Sequence, residues 1–218
     1  MKINDLTLFT HSLQETLHFY HGLLGFTLLE QTPQAVCFQI GFSRLRFETI
    51  ENAHPQYHFA FSIPKNKVQE ARQWLEQRTP LIPNPESETI THFVHWNAHA
   101  MYFYDPQGNI VEFIAREDLP ATPDEHFSPE SIMAINEIGL VVDAPLEWAQ
   151  QYVTKAPVSF FERGPITETF TALGDDEGLL IVSQPGRHWF PTRMAADKHP
   201  MHVILSSGDQ HFSLHLEQ

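Results

Sequence analysis

The feature that most constrains this chain is a pattern it uses more than once. "INDLTLFTHSLQETLHFYH" and "INEIGLVVDAPLEWAQQYV" share a start, Ile3 with Ile135, Asn4 with Asn136 and Asp5 with Glu137. Each runs from a period-two strand into a helical stripe, so the repeat is physical as well as lexical. In the first copy the helical stripe carries Leu13, Leu17, Phe19, Tyr20, Leu23 and Leu24 and stops at Gly25. Three short apolar runs follow, "FTLLEQ", "AVCFQIG" and "SRLRFETI", punctuated by Pro33 and Gly41. The unit is therefore βαβββ. A second copy reads "YHFAFSI", then the helix "KNKVQEARQWLEQ", then "THFVHWN", "HAMYFYD" and "NIVEFIA", so two copies fill residues 1–116.

Residues 117–133, with "EDLPATPDEHFSPES", lack periodicity and read as a linker. From residue 134 a third unit begins, to be completed by "VSFFERG", "ETFTALG" and "GLLIVSQ". "HPMHVILS" then resembles "PQYHFAFS", aligning His202 with His58 and opening a truncated fourth unit. The expected organisation is a two-unit domain over 1–116, the linker, and a partial domain over 134–218. The truncated unit leaves a sheet edge, to be covered by "GRHWFPTRMAADKHP" or by a second copy in a homodimer.

Composition narrows the function. Of 218 residues, 42% are hydrophobic and 12% aromatic, enough for a packed core, and no apolar run approaches the roughly 20 residues of a membrane span. A net charge of −14 repels phosphate backbones and anionic lipid, which argues against nucleic-acid and membrane partners. The lone Cys37, in apolar "AVCFQI", reads as a buried small hydrophobe, and with no signal-like start the expected location is cytoplasmic.

Tandem βαβββ units with "YDPQGNIVEF" on the closing hairpin resemble the vicinal oxygen chelate superfamily, which includes glyoxalase I, extradiol dioxygenases, fosfomycin-resistance enzymes and bleomycin-binding proteins. The resemblance is strong over 1–116 and weak beyond. It implies an α+β fold in which paired units form a cup-shaped mixed sheet, helices outside and ligand inside. It also implies a metal-dependent enzyme, a dioxygenase or a lyase or isomerase, acting on a small oxygenated molecule. The alternative it carries is a metal-free protein that sequesters a hydrophobic or cationic compound, as bleomycin-resistance proteins do.

Strand alternation sends Ile110, Glu112 and Ile114 one way and Val111, Phe113 and Ala115 the other, with "DPQG" fixing the register. By the resemblance Glu112 points into the cup, with His58 from the fifth strand and Asp5 from the first, where the family commonly has a histidine. These three are the expected ligands of one divalent ion, iron, manganese, zinc, nickel or cobalt. Glu48 is the expected fourth ligand or general base, making Glu112 and Glu48 the catalytic carboxylates. Arg44 and Arg46 share the face of Glu48, to clamp an anionic substrate or neutralise the carboxylates, and His92 and Trp96 are further candidate substrate contacts. Glu137 and His202 mimic Asp5 and His58, but no second "DPQGNIVEF" supplies a third ligand, so the C-terminal half is expected to hold no equivalent ion. Trp189 lies in a loop read as a lid or a core cover.

Overall fold

The apolar alternation read from the sequence becomes strands, and the 3.6-residue stripes become short helices. In the computed structural model, which describes residues 1–123 and 126–217, β1 (Lys2–Thr10) leads into α1 (Leu13–Leu17) and a π-helical turn, His18–Leu23. Ser12 caps α1 by accepting from the Glu15 amide. Then come β2 (Thr27–Gln31), β3 (Ala35–Ile40), β4 (Ser43–Thr49), β5 (His58–Ser62), α2 (Val68–Glu76), β6 (Leu81–Ile82), β7 (Thr91–Phe93), β8 (Ala98–Tyr104) and β9 (Ile110–Arg116). The second half holds β10 (Ala134–Val141), α3 (Pro145–Tyr152), β11 (Phe170–Asp175), β12 (Gly178–Ser183), β13 (Met201–Ser207) and β14 (Gln210–Leu216). The fold is α+β.

Among the described residues all fourteen strands belong to one mixed sheet, with the path β2-β3-β4-β1-β10-β5-β9-β8-β6. β13 and β14 branch from β1, β12 and β11 from β10, and β7 pairs with β8. The main core lies on the helical face: Phe59 and Phe61 of β5, Val111 and Phe113 of β9, and Ile138 and Leu140 of β10 pack together, with Trp74 of α2 and Trp148 of α3 against them. A second cluster, with Ala60, Ile110, Ile114 and Ile181, occupies the opposite face of the same strands.

The topology corrects the expectation that residues 1–116 close a cup on their own. β1 and β5 are not neighbours, because β10 lies between them and pairs antiparallel with β5. β1 instead pairs with β13. Units adjacent in sequence need not be adjacent in space, since the 17 residues of 117–133 reach roughly 55 Å when extended. That connector is ordered where it is described: Phe127 packs edge-on to Trp74, the Met133 amide donates to the Ser62 carbonyl, and Ser128 opens a 3₁₀ turn, Pro129–Ser131. Asp124 and Glu125, within the expected linker, and Gln218 lie outside the described residues.

"VSFFERG" forms no strand and makes only an isolated bridge, Phe160 with Leu173. Pro157 before it, its own closing Gly164 and Pro165 after it break the ladder. The fourth unit carries a hairpin, β13 with β14. Cys37 is buried, as its apolar neighbours imply.

Candidate metal centre

Three strands meet at one group of ligand-bearing side chains. β9 is set by the "DPQG" turn: Asp105 Oδ1 accepts from the Gln107 and Asn109 amides at 2.9 and 3.0 Å, and Tyr20 donates its hydroxyl to Asp105 Oδ2 at 2.7 Å. Gly108 takes φ +81° there, a backbone conformation that side chains with a Cβ rarely adopt. The register that results places Glu112 beside Ala60 of β5 and Tyr102 of β8. Glu112 thus points away from the helical core, as alternation predicts.

β10 reaches the same place through a β-bulge. In a regular strand Ile135 and Glu137 share a face, but the pairing with β5 shifts between them, so Ile135 enters the helical core while Glu137 faces the opposite side. His58, Glu112 and Glu137 each bring one ligand atom within 4.8 Å of the others, and all three are buried. His58 Nδ1 lies 3.2 Å from the Ile110 carbonyl. A carbonyl only accepts, so Nδ1 carries the proton and Nε2, 3.5 Å from Glu112 Oε2, presents its lone pair. Burial lowers the His58 pKa to about 4, helped by Arg187 and opposed by the Ile110 bond. The imidazole is neutral, and its contact with Glu112 is no ion pair.

The carboxylates carry the electrostatic tension. Burial raises the Glu112 pKa well above the carboxylate range and the Glu137 charge adds to the rise, while Arg116 and the Tyr102 hydroxyl bond oppose it. Burial also raises Glu137, opposed by Arg116. Arg116 is fully buried, and its Nη2 donates to Glu137 through a short charge-assisted bond. Its Nε donates to Asn136 Oδ1 at 2.9 Å, and Nη1 stands 3.6 Å from Asp176. One guanidinium thus offsets one of two buried carboxylates, which leaves Glu112 to take a proton or a cation. A neutral imidazole nitrogen and two carboxylates make a donor set that fits a divalent first-row ion.

These groups form one wall of a cavity of about 320 Å³. Its other walls include Phe93, Trp96, Tyr102, Phe170, Trp189 and Phe190. Trp189 stands over His58 with ring centroids 5.1 Å apart, seated against Gly139, where an added Cβ would come 2.8 Å from its ring. The loop read as a lid or a core cover lines this cavity.

Of the sequence-derived candidates, the structure brings His58, Glu112 and Trp96 to the cavity. Asp5 is not among the trio, and Glu137 stands there instead. Asp5 lies on β1 and forms an ion pair with Arg44 at 2.5 Å. Arg46 is held by Glu30 at 2.8 Å and Glu48 at 2.7 Å, so neither Arg46 nor Glu48 joins the centre. The reason is topological: these residues sit on β1 and β4, and β10 separates those strands from β5. His92 is exposed and stacks on His99 at 4.4 Å, clear of the cavity lining. Sequence reasoning missed Glu137 as a partner of His58, and it missed Arg116 and Arg187. The "INE" start matched to "IND" was the available signal for Glu137.

The chain matches the family described as Glyoxalase/Bleomycin resistance protein/Dioxygenase superfamily over residues 2–113, and it belongs to that family. Among solved structures, a "putative dioxygenase" from Bacillus subtilis aligns over 84% of this chain at 20% identity with a TM-score of 0.62. That alignment spans 63% of the Bacillus protein, so this chain accounts for less than two thirds of its length. Lactoylglutathione lyase from Agrobacterium tumefaciens aligns at 24% identity over 52% of this chain and 92% of its own, with a TM-score of 0.43. A fosfomycin resistance protein from Listeria monocytogenes aligns at 17% identity over 54% and 91%, with a TM-score of 0.42. No curated protein matches the sequence. No helix among the described residues is long and apolar enough to cross a membrane.

Proposed function

We propose that the cavity is the active site of a metal-dependent enzyme of the glyoxalase or dioxygenase type, acting on a small oxygenated molecule in the cytoplasm. His58, Glu112 and Glu137 hold one divalent ion, iron, manganese, zinc, nickel or cobalt. The observation that carries this reading is the convergence of three buried ligand atoms within 4.8 Å, one from a neutral imidazole whose tautomer is fixed by a backbone carbonyl. When bound, the ion supplies Lewis acidity toward two neighbouring substrate oxygens. The chain's own residues do the rest. The Tyr102 hydroxyl bond orients Glu112, and Arg116 holds Glu137 in place. Trp189, buried over His58, keeps an apolar ring beside the centre, which strengthens the charge interactions next to it.

One observation favours a second reading, a metal-free binding protein. Arg116 already neutralises Glu137, and a protonated Glu112 leaves the centre without net charge. Elemental analysis of protein purified without chelators or affinity metals separates the two. The enzyme reading expects about one divalent ion per chain, lost in Glu112→Gln; a metal-free wild type establishes the binding reading.

A further inference from the structure

Arg187 is a cavity residue that the metal centre does not use. Its side chain is half-buried on the wall, with the guanidinium carbon 4.0 Å over the Phe170 ring. Its one polar side-chain contact among the described residues is a long bond from Nη1 to the His188 carbonyl, 3.4 Å. Arg44, Arg46, Arg72, Arg116 and Arg163 each hold a carboxylate. Arg187 holds none among the described residues, and burial alone lowers its pKa.

The backbone keeps Arg187 where it is. The Gly186 amide donates to the Ala196 carbonyl at 2.8 Å, the Ala196 amide to the Arg187 carbonyl at 2.7 Å, and the Trp189 amide to the Met194 carbonyl at 2.9 Å. Trp189 is in turn seated on Gly139. A partly desolvated guanidinium fixed on an aromatic wall, without an anion of its own, is costly unless something negative arrives. Within the cavity the other charges are answered: Glu137 by Arg116, Glu112 by a proton or an ion. The unanswered charge is positive.

We propose that Arg187 sets the specificity of the cavity by receiving the carboxylate of a flat aromatic acid of one or two rings, the rings lying among Trp96, Tyr102, Trp189 and Phe190. Phe170 holds the guanidinium plane by cation–π contact and leaves N–H groups for a bidentate carboxylate. The aromatic walls offer edge and face contacts to a ring. The volume of about 320 Å³ is at the small end of ligand pockets, which run roughly 300–1,000 Å³. The proposal rests on the reading that this cavity is the substrate site, but it does not depend on a metal being bound.

The test is titration of the chelator-treated full chain, followed by tryptophan fluorescence, with 1-naphthoate, methyl 1-naphthoate and trimethylphenylammonium. The acid is expected to bind about 10-fold or more tightly than the ester, the size of a charge-assisted hydrogen bond. In Arg187→Gln the acid-over-ester ratio should fall to about one, with an unchanged circular dichroism spectrum and thermal midpoint as the control for folding; Arg187→Lys should restore part of the preference. Equal binding of acid and ester, a preference that survives Arg187→Gln, or tighter binding of the cation overturns the proposal. An acid preference in protein that binds no ion leaves it standing while the metalloenzyme reading falls, and ion binding without an acid preference does the reverse.

Discussion

Two strands of this sheet, β1 and β10, are built from the same sequence pattern and end in opposite electrostatic states. On β1 the bulge between Ile3 and Asp5 aims Asp5 away from the core, and on β10 the bulge between Ile135 and Glu137 does the same for Glu137. His202 of β13 sits opposite Thr7, as His58 is placed at Gly139 by the register of β5 with β10. The difference lies in the neighbouring parallel strand. β4 places Arg44 beside Asp5 and Arg46 beside Thr7, whereas β12 places Leu179 beside Glu137 and Ile181 beside Gly139. The first acid is neutralised by its neighbour and stays part-exposed; the second is walled by apolar side chains and must be answered from elsewhere. A near-identical strand start thus becomes a part-exposed salt bridge or a buried acid according to the strands that lie beside it: β4 with its arginines for β1, β5 and the apolar β12 for β10.

The largest expected effect of breaking that contrast is at Arg116. Arg116→Met strands Glu137 in an apolar wall and should cost about 3–5 kcal/mol in metal-free protein, measured by urea unfolding with chelator present. A divalent ion should recover much of that loss. The matching change beside β1, Arg44→Met, removes a half-exposed bridge and should cost under about 1 kcal/mol. Equal costs would mean that the two acids do not differ in the way described.

A smaller effect is expected at Gly139, whose counterpart on β1 is Thr7. Gly139→Thr writes the β1 residue into β10 and forces Trp189 off the sheet, since even a Cβ meets its ring at 2.8 Å. Overpacking of this kind costs about 1–3 kcal/mol. Thermal unfolding and the tryptophan emission maximum read it, the latter moving red as Trp189 meets water. An unchanged emission spectrum would show that Trp189 does not depend on the glycine.

His58 and Glu112 were legible because their information is local. Alternation fixes which side of a strand they take and the "DPQG" turn fixes the register of β9, while the resemblance to the vicinal oxygen chelate superfamily is what marks that side as the ligand side. Glu137 was legible as a residue type in a repeated start, but its partner was not, because "INE" and "IND" encode the same strand and bulge and nothing in either says which will lie beside β5. That choice is made by long-range pairing of β10 with β5, a contact across about 75 residues of chain that no local window reports. Arg116 ends a strand read as apolar, and its role appears only once β10 brings Asn136 and Glu137 against it. The α+β class and most of the strands followed from periodicity, whereas "VSFFERG" shows that apolar content flanked by Pro and Gly-Pro is not enough.

In the proposed centre Glu137, and not Asp5, stands with His58 and Glu112. Calorimetric titration of metal-free protein with manganese, zinc and nickel, repeated on Glu137→Gln and Asp5→Asn, tests it most directly. One ion per wild-type chain is expected, with an affinity lower by at least roughly 10-fold in Glu137→Gln, since even outer partners of a ligand are worth 10–100-fold, and no change in Asp5→Asn. Wild-type affinity in Glu137→Gln, or a loss confined to Asp5→Asn, would contradict it.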